Sequence, residues 1–248
     1  MNIQEILFRY LIHWPWFVVS VIICIACAWG YLRLATPVYN ISATVLIKDD
    51  KKGGGASMSS ELEKMGLDGF VSSSNNVDNE IEVLKSKSLA REVVNNLGLF
   101  VTYKDDDEFP SRELYRTSPV VVSLTPQEAE KLSAPMEVEM TLFPNGGMDV
   151  LITVKDKEYR KQFEQLPAVF PTDEGTVAFF ESKDTLAVNQ AKEESKERHI
   201  KAFINRPMSV AKGYIQSLSI APTSKTTSVA VLSLKNSNTW RGRDFINK

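Results

Sequence analysis

The chain has 248 residues, of which 43% are hydrophobic and 24% are charged, and its formal net charge is −2. This usage is ordinary for a globular protein, and the length allows one sizeable hydrophobic core or two small ones. The charge balance shows no basic face of the kind that nucleic acid demands, so the composition predicts no nucleic-acid partner.

Residues 14–32 are strongly apolar and contain no charged side chain. At about 1.5 Å of helical rise per residue, this stretch covers roughly 28 Å, close to the hydrocarbon thickness of a bilayer. Aromatic residues suited to the membrane interface flank it at both ends: Trp14, Trp16, Trp29 and Tyr31. The pattern predicts an N-terminal tail over 1–13 and one transmembrane helix over 14–34, with the lipid bilayer as a partner.

Two alternatives compete with a retained anchor. A buried core helix would usually show a polar face over such a length. A cleaved signal peptide is the stronger rival, because Ala26-Cys27-Ala28 resembles a small-x-small cleavage site. The residues before the span are themselves apolar and the run continues past Ala28, which favours the anchor. Cys24 and Cys27 lie within the span, where burial raises a thiol's pKa and keeps it inert.

The charges around the span do not decide its orientation, since Arg9 on one side nearly balances Arg33 on the other. A short tail inside the cell with a large domain outside is the commoner arrangement for this layout.

The first part of the remaining chain predicts one strand and several helical pieces. Val38 to Ile47 has the alternation of a strand, and Asp49 to Ser60 is a flexible loop without a phosphate-binding G-x-x-x-x-G-K-[ST] motif. A short helix is expected over Ser60 to Leu67. Val77 to Leu97 is amphipathic and predicts two helical pieces joined near Ser86 and ended by a left-handed Gly98. Its docking face is expected to comprise Ile81, Leu84, Leu89 and Val93.

The rest of the chain predicts mainly strands, with a hairpin turn at Pro144 to Gly147. Asp105 to Glu108 is expected to be a solvated acidic turn. The predicted strands are Val120–Leu124, Met136–Phe143, Met148–Val154, Thr176–Phe180, Ile200–Ile204, Leu218–Ala221 and Ser228–Leu234. The predicted helices are Ala187–Arg198, Pro207–Gln216 and one that begins at Thr239.

No pattern of catalytic residues is visible. The two histidines, His13 and His199, do not have a spacing that metal or triad chemistry uses, and the predicted soluble part has no cysteine. Acid pairs such as Glu80 and Glu82 are commoner on a solvated helix face. We therefore expect no catalytic residue, no cofactor and no metal site.

Several short motifs in this order resemble the Wzz-type chain-length-determinant family, the polysaccharide co-polymerases. They are a proline and tyrosine before the first strand, the NEIEVLKS segment, the VVNNLGL helix end, and the NTWRGRDFIN segment. The residues that carry the resemblance are Pro37, Tyr39, Asn79, Glu80, Leu84, Ser86, Gly98, Gly242 and Phe245. The likeness is weaker over Val101 to Arg198.

The resemblance implies an α+β class: one transmembrane helix followed by a mixed-sheet periplasmic domain with packed helices. It divides this domain into a first part (36–100), a central β-rich subdomain or insertion (101–198), a closing part (199–238) and the start of a long helix (239–248). Relatives continue into a second span, and some into a tyrosine kinase with a Walker motif, so the chain is expected to be truncated.

By the same resemblance, the protein would be a non-catalytic inner-membrane regulator of chain length for O-antigen, capsule or exopolysaccharide. In its full-length form it would be a homo-oligomer, and it would work with a polysaccharide polymerase or export machinery and a lipid-linked glycan. The outer regulatory half of a tyrosine autokinase for capsule export is one alternative. A periplasmic adaptor of an efflux or secretion system is another, although the heptad hairpins and lipoyl-like repeats of such adaptors are not found.

Overall fold

The computed structural model of the protein describes most of the chain in two compact units, Met1–Pro37 and Val38–Lys248. The described residues are 14–35, 37–47, 79–107, 109–183, 197–224 and 229–248. The predicted loop Asp49 to Ser60, the predicted helix Ser60 to Leu67 and most of the predicted helix Ala187 to Arg198 lie outside these residues.

The first unit contains helix α1 (Trp14–Leu34), which is 21 residues long and is long and apolar enough to cross a membrane. The helix occupies the residues that the sequence predicts as the span. The last turn of α1 contains one basic residue, Arg33, and its first turn contains no acidic residue. An apolar helix of this length near the N-terminus fits a transmembrane anchor.

The second unit alternates strands with short helices, and residues 79–84 form an additional helical turn. The strands are β1 (Tyr39–Leu46), β2 (Val101–Asp105), β3 (Val120–Ser123), β4 (Met136–Leu142), β5 (Met148–Val154), β6 (Lys157–Phe163), β7 (Ala168–Thr172), β8 (Gly175–Glu181), β9 (Arg198–Ile204), β10 (Leu218–Pro222) and β11 (Val229–Asn236). The helices are α2 (Lys87–Asn96), α3 (Pro126–Lys131), α4 (Pro207–Ser217) and α5 (Thr239–Asn247).

The described strands form three sheets in which every pair is antiparallel. Sheet A has the order β1-β11-β10, sheet B the order β2-β9-β4-β5-β6, and sheet C the order β3-β8-β7. The α+β class expected from the sequence is confirmed. The hairpin around Pro144 to Gly147 is also confirmed, since β4 pairs with β5 from Met136 opposite Val154 to Leu142 opposite Met148.

The main core lies where sheets B and C meet the helices. Buried and half-exposed residues alternate along β4 and β5, so one face of sheet B is turned into this core. Phe163 of β6 meets Phe170 and Phe179 of sheet C with ring centroids 6.0 Å apart in both pairs. One contiguous apolar cluster therefore connects the two sheets with residues of α2, α4 and α5.

The expected break near Ser86 is confirmed, but the predicted apolar face is partly wrong. Ser86 caps α2 by accepting a hydrogen bond from the Leu89 N–H at 3.3 Å. Because the helix restarts at this cap, its phase changes: Ala90, Val93 and Val94 are buried, whereas Leu89 is 36% exposed. Helix α2 packs mainly against α4 rather than directly on a sheet.

Ile81 and Leu84 belong to a separate small core. Ile81 is buried against Ile220, Ala230 and Leu232 of sheet A, and Leu84 is only half-buried beside them. Truncating Leu84 is therefore expected to cost less than the loss of a fully buried leucine.

Gly98 ends α2 in the left-handed conformation that the sequence predicts, with φ at +63°. The Leu99 N–H donates to the Val94 carbonyl at 2.9 Å, and the Gly98 N–H donates to the Asn95 carbonyl at 3.2 Å. These two bonds are those of a Schellman motif, and the fully buried Leu99 and Val94 supply its apolar contact. The motif turns the chain directly from α2 into β2.

Four elements were not expected from the sequence: β2, β6, β7 and α3. The outer strand β6 carries charged residues on a largely exposed backbone, so it lacks the apolar alternation that marks a half-buried strand. Strand β7 contains Pro171, which is tolerated because β7 lies at the edge of sheet C. Short edge strands give too little local signal to be recognised.

Two further expectations are corrected. Asp105 is not part of a solvated turn: it ends β2, is buried, and forms an ion pair with Arg198 at 3.4 Å. Arg198 itself is the first residue of β9 rather than the end of a helix. The predicted boundary at residue 199 consequently falls inside β9, which pairs with β2 and β4 of the central region.

Candidate functional site

Arg241 on α5 is the centre of a buried hydrogen-bond cluster. Its Nε donates to the Tyr214 hydroxyl at 2.9 Å, and its Nη1 donates to the Thr102 hydroxyl at 2.8 Å and to the Glu113 carboxylate at 2.5 Å. Its Nη2 donates to the carbonyl of Leu99. The guanidinium thus joins α5 to α4, to β2 and to the end of the α2 cap.

The electrostatics of this cluster favour the charged guanidinium. Burial opposes the charge, but the Glu113 carboxylate and the hydrogen bonds with Tyr214 and Glu113 outweigh it, so the pKa of Arg241 is raised. Burial raises the pKa of Tyr214, which keeps this hydroxyl protonated. Arg241 is therefore a permanently charged connector whose donors are used by residues of four different segments.

Two close apolar contacts, made by Gly242 and Phe245, also hold this helix in place. The Phe245 ring stacks on the Tyr214 ring, with centroids 4.2 Å apart and planes inclined by 12°. Gly242 lies so close to sheet A that a Cβ at this position would be 2.3 Å from the Ile41 Cδ1 and 3.2 Å from the Asn236 Cβ. Helix α5 can approach β1 and β11 this closely only because residue 242 has no side chain.

Asp244 makes a second, half-buried connection. It accepts a hydrogen bond from the Tyr115 hydroxyl at 2.8 Å and forms an ion pair with Arg116 at 3.0 Å. Burial, with the hydrogen bond and charge of Asp244 added to it, raises the pKa of Tyr115 to about 12. Helix α5 is therefore held by the segment between β2 and β3 as well as by α4 and sheet A.

The structure brings some of the motif residues together and separates others. Gly242 and Phe245 lie on one face of α5, and Tyr39 starts β1 opposite Asn236, two residues before the α5 N-cap. Ser86 caps the start of α2 and Gly98 follows its C-cap, while Leu84 belongs to the small core on sheet A. Asn79 and Glu80 are exposed on the helical turn, and Pro37 is exposed in the first unit.

Sequence reasoning did not identify Arg241, Tyr214 or Glu113. Arg241 lies 128 to 142 residues from Glu113 and Leu99, and nothing in its local pattern distinguishes it from the exposed Arg243 two residues later.

A groove of about 650 Å³ is lined in part by Tyr115 and Arg116, the two partners of Asp244. Its walls are the end of α2, strand β2 and the outer side of β3, with Arg116 and Lys183 among its charged residues. Tyr103 and Val122 are among its lining residues. The Tyr103 hydroxyl accepts a hydrogen bond from the Val122 N–H at 2.8 Å and donates one to the Val122 carbonyl at 3.3 Å. The volume lies within the range of small-molecule sites.

The described residues offer little acid–base or metal chemistry. Among them, no group of three His, Cys, Asp or Glu side chains could hold a metal ion. His199 contacts the Thr141 hydroxyl at 3.1 Å through Nδ1, on an exposed part of sheet B. The Arg241 cluster, together with Gly242, positions α5 relative to α4, β2 and β1.

Part of the chain matches the model of a known family. Residues 1–97 match the family model of the Wzz chain length determinant protein. The resemblance expected from the sequence is thereby confirmed for this Wzz segment, which contains α1, β1 and α2 and ends at Leu97, the residue that caps α2.

The chain is also similar to part of a tyrosine kinase. Over 99 residues the chain is 26% identical to a tyrosine-protein kinase, ptk, from Acinetobacter johnsonii. The match covers 40% of this chain and 13% of that kinase. The chain therefore spans a small fraction of the length of the relative that it matches.

The Wzz segment does not contain the residues that fix its own elements. Strand β1 pairs with β11, helix α2 packs on α4, and the carbonyl of Leu99 just after the α2 cap accepts from Arg241. Residues of α4, β11 and α5 consequently hold β1 and α2 in place.

Proposed function

We propose that the protein is a membrane-anchored, non-catalytic regulator of chain length in the synthesis or export of a surface polysaccharide, such as O-antigen, capsule or exopolysaccharide. The observation that carries this proposal is the match of residues 1–97 to the Wzz chain length determinant family. It includes the apolar helix α1, which supports a protein held at a membrane.

The arrangement of α5 is consistent with a structural role. Its buried side chains are occupied in contacts with β2, α4 and sheet A, so the cluster positions a helix instead of presenting reactive groups. In this proposal the partners are a polysaccharide polymerase or export machinery and a lipid-linked glycan, and the working form is a homo-oligomer. The bulk of the chain lies in the periplasm and α1 in the inner membrane.

The division of the second unit is also a proposal. Sheet A combines β1 of the first part, residues 36–100, with β10 and β11 of the closing part. We extend the central β-rich subdomain from Val101 to Ile204, because β9 pairs with β2 and β4. Residues 239–248 contain α5, which packs against β1 and β11 of sheet A.

The proposal is tested by deleting the gene in its host and measuring the length distribution and the total amount of surface polysaccharide. A chain-length regulator is expected to change the distribution of lengths while polymer is still made. Complementation with the natural gene should restore the original distribution. Loss of all polymer on deletion would contradict a regulatory role and favour a direct part in synthesis or export.

The placement of the domain has its own measurement. Alkaline phosphatase fused after Lys248 is active only outside the cytoplasm, so a periplasmic second unit predicts an active fusion. A well-expressed but inactive fusion, together with an active cytoplasmic reporter at the same position, would reverse the proposed orientation.

A second candidate is the outer regulatory part of a tyrosine autokinase for capsule export, which the similarity to ptk favours. In that case the deletion strain should lose tyrosine phosphorylation in its membrane fraction as well as the normal length distribution. Unchanged phosphotyrosine with an altered length distribution would favour the first proposal.

A further inference from the structure

Helix α5 exposes an aromatic ring and a cation on the side opposite its buried residues. Trp240 is 54% exposed, and the Arg243 guanidinium lies 4.2 Å from the centre of its ring. On the other side of the same helix, Arg241, Gly242 and Phe245 are buried. Because these buried contacts fix the helix, Trp240 is held outward by the fold.

The strand register places more apolar surface at the same end of sheet A. Tyr39, the first residue of β1, is the Cα partner of Asn236 at the end of β11. The Asn236 side chain accepts a hydrogen bond from the N–H of Asn238, the N-cap of α5, at 2.8 Å. Tyr39 is 47% exposed and Val38, just before it, is 65% exposed. Two aromatic residues and one aliphatic residue are therefore exposed where β1 begins and α5 starts.

The apolar helix α1 ends at Leu34, five residues before Tyr39. An extended chain covers at most about 3.6 Å per residue, so these five steps reach no farther than about 18 Å. The headgroup region adds roughly 5 to 8 Å on each side of the hydrocarbon core. This end of sheet A is thus tethered within a short covalent distance of the membrane–water interface.

The chemistry of the exposed residues suits that interface. Tryptophan and tyrosine rings concentrate at the headgroup level because each has an apolar body and one polar group. Arginine presents several donors to phosphate oxygens, and it retains a favourable contact with an aromatic face. Lys235, beside Asn236 on β11, adds a second exposed cation near the same end.

We propose that Val38, Tyr39, Trp240 and Arg243 form a headgroup-contact surface, which docks the second unit on phospholipid headgroups of the bilayer that holds α1. The Trp240 and Tyr39 rings lie in the headgroup layer, and the Arg243 guanidinium binds lipid phosphate. This contact gives the domain a second attachment to the membrane besides the covalent link through Pro37. The inference rests on the membrane anchor and not on a role in polysaccharide synthesis.

The test uses the full chain in nanodiscs, with 5-fluorotryptophan at its four tryptophans and observed by fluorine NMR. The Trp240 signal is assigned by its disappearance in Trp240→Phe. Addition of a lipid that carries gadolinium on its headgroup should broaden this signal beyond detection. The signals of Trp14, Trp16 and Trp29, which flank the span, are internal positive controls. A Trp240 signal that stays sharp while these three broaden would overturn the proposal.

A charge variant and its matched control separate lipid contact from chance proximity. Arg243→Glu should restore part of the Trp240 signal, because the phosphate contact is replaced by repulsion. Lys87→Glu, a similar change at an exposed position on α2, should leave the broadening as it was. Equal broadening in Arg243→Glu and the parent would contradict the phosphate contact.

The competing occupant of this surface is a second copy of the chain. Nanodiscs with one chain per disc are therefore compared with discs that contain several. If a second copy covered the surface, the labelled lipid would broaden the Trp240 signal less in discs that contain several chains than in discs that contain one, and that result would overturn the headgroup contact. Broadening that is the same at both loadings supports the headgroup contact.

Discussion

The central region, residues 101–204, and the Wzz segment, residues 1–97, bury their apolar residues in different ways. In the central region, β4 pairs with β5 and β9 and alternates buried with half-exposed residues along its length. In the Wzz segment, β1 is mostly exposed and its partner among the described strands, β11, lies near the other end of the chain. The segment that matches a family therefore has the weaker core of its own.

The difference shows that a family signature need not coincide with a folding unit. The Schellman motif at Gly98 ends the Wzz segment locally, but α2 is held in place by α4 and by the Arg241 cluster. The central region closes its own sheet and contributes Thr102 and Glu113 to the same cluster. Arg241 is thus the centre of the polar connection between the two regions, which also share one apolar cluster.

The largest expected effect comes from removing that side chain. Arg241→Met leaves Glu113 and the Leu99 carbonyl without their donor, and breaking a buried ion pair costs about 3 kcal/mol or more. For a chain of this size each 1 kcal/mol lowers the melting temperature by roughly 2–4 °C. Thermal melts of the full chain in detergent, followed by circular dichroism, should show a clear decrease.

The matched control is Arg91→Met on the exposed side of α2, which should change the melting temperature little. If Arg241→Met and Arg91→Met melted alike, the cluster would not connect the two regions.

An intermediate effect is expected at the contact of α5 with β1. Gly242→Ala places a Cβ against the Ile41 Cδ1, and such overpacking typically costs about 1–3 kcal/mol. Ile41→Val removes that Cδ1, so the double variant Gly242→Ala/Ile41→Val should recover part of the loss. A double-mutant cycle from urea unfolding measures the coupling, and strictly additive effects would show that the two residues do not touch.

The smallest expected effect lies inside the central region. Tyr103→Phe deprives the N–H and carbonyl of Val122 of their partner and should cost about 1 kcal/mol. Burial raises the pKa of Tyr103 to about 12, above its usual value of 10.0. Since the folded protein then retains the proton more tightly than the unfolded chain, this contribution is complete below pH 10 and is lost as the pH rises towards 12.

Between pH 10 and about pH 12, the free energy of unfolding should therefore fall less steeply with pH in Tyr103→Phe than in the parent. Identical slopes in the two proteins would mean that Tyr103 titrates as in the unfolded chain.

Local sequence determined the elements whose signal lies within a few neighbouring residues. The span over 14–34 follows from length and hydropathy, the β4–β5 hairpin from Pro144 to Gly147, and the end of α2 from Gly98. Each depends on local backbone geometry or on the transfer of apolar side chains out of water, and both are set by residues within a single turn or a single helix.

Tertiary structure decided which side chains are buried and which distant segments meet. Leu89 was expected in the core and is exposed, since the Ser86 cap resets the phase of α2. Asp105 was expected in solvent and is buried, because β2 lies beside β9 and brings Arg198 to it. Arg241 and Arg243 look alike in the sequence, but only the fold places Glu113, Thr102 and Leu99 around the first. Such contacts join residues 93 to 142 positions apart, and a local pattern contains no information about them.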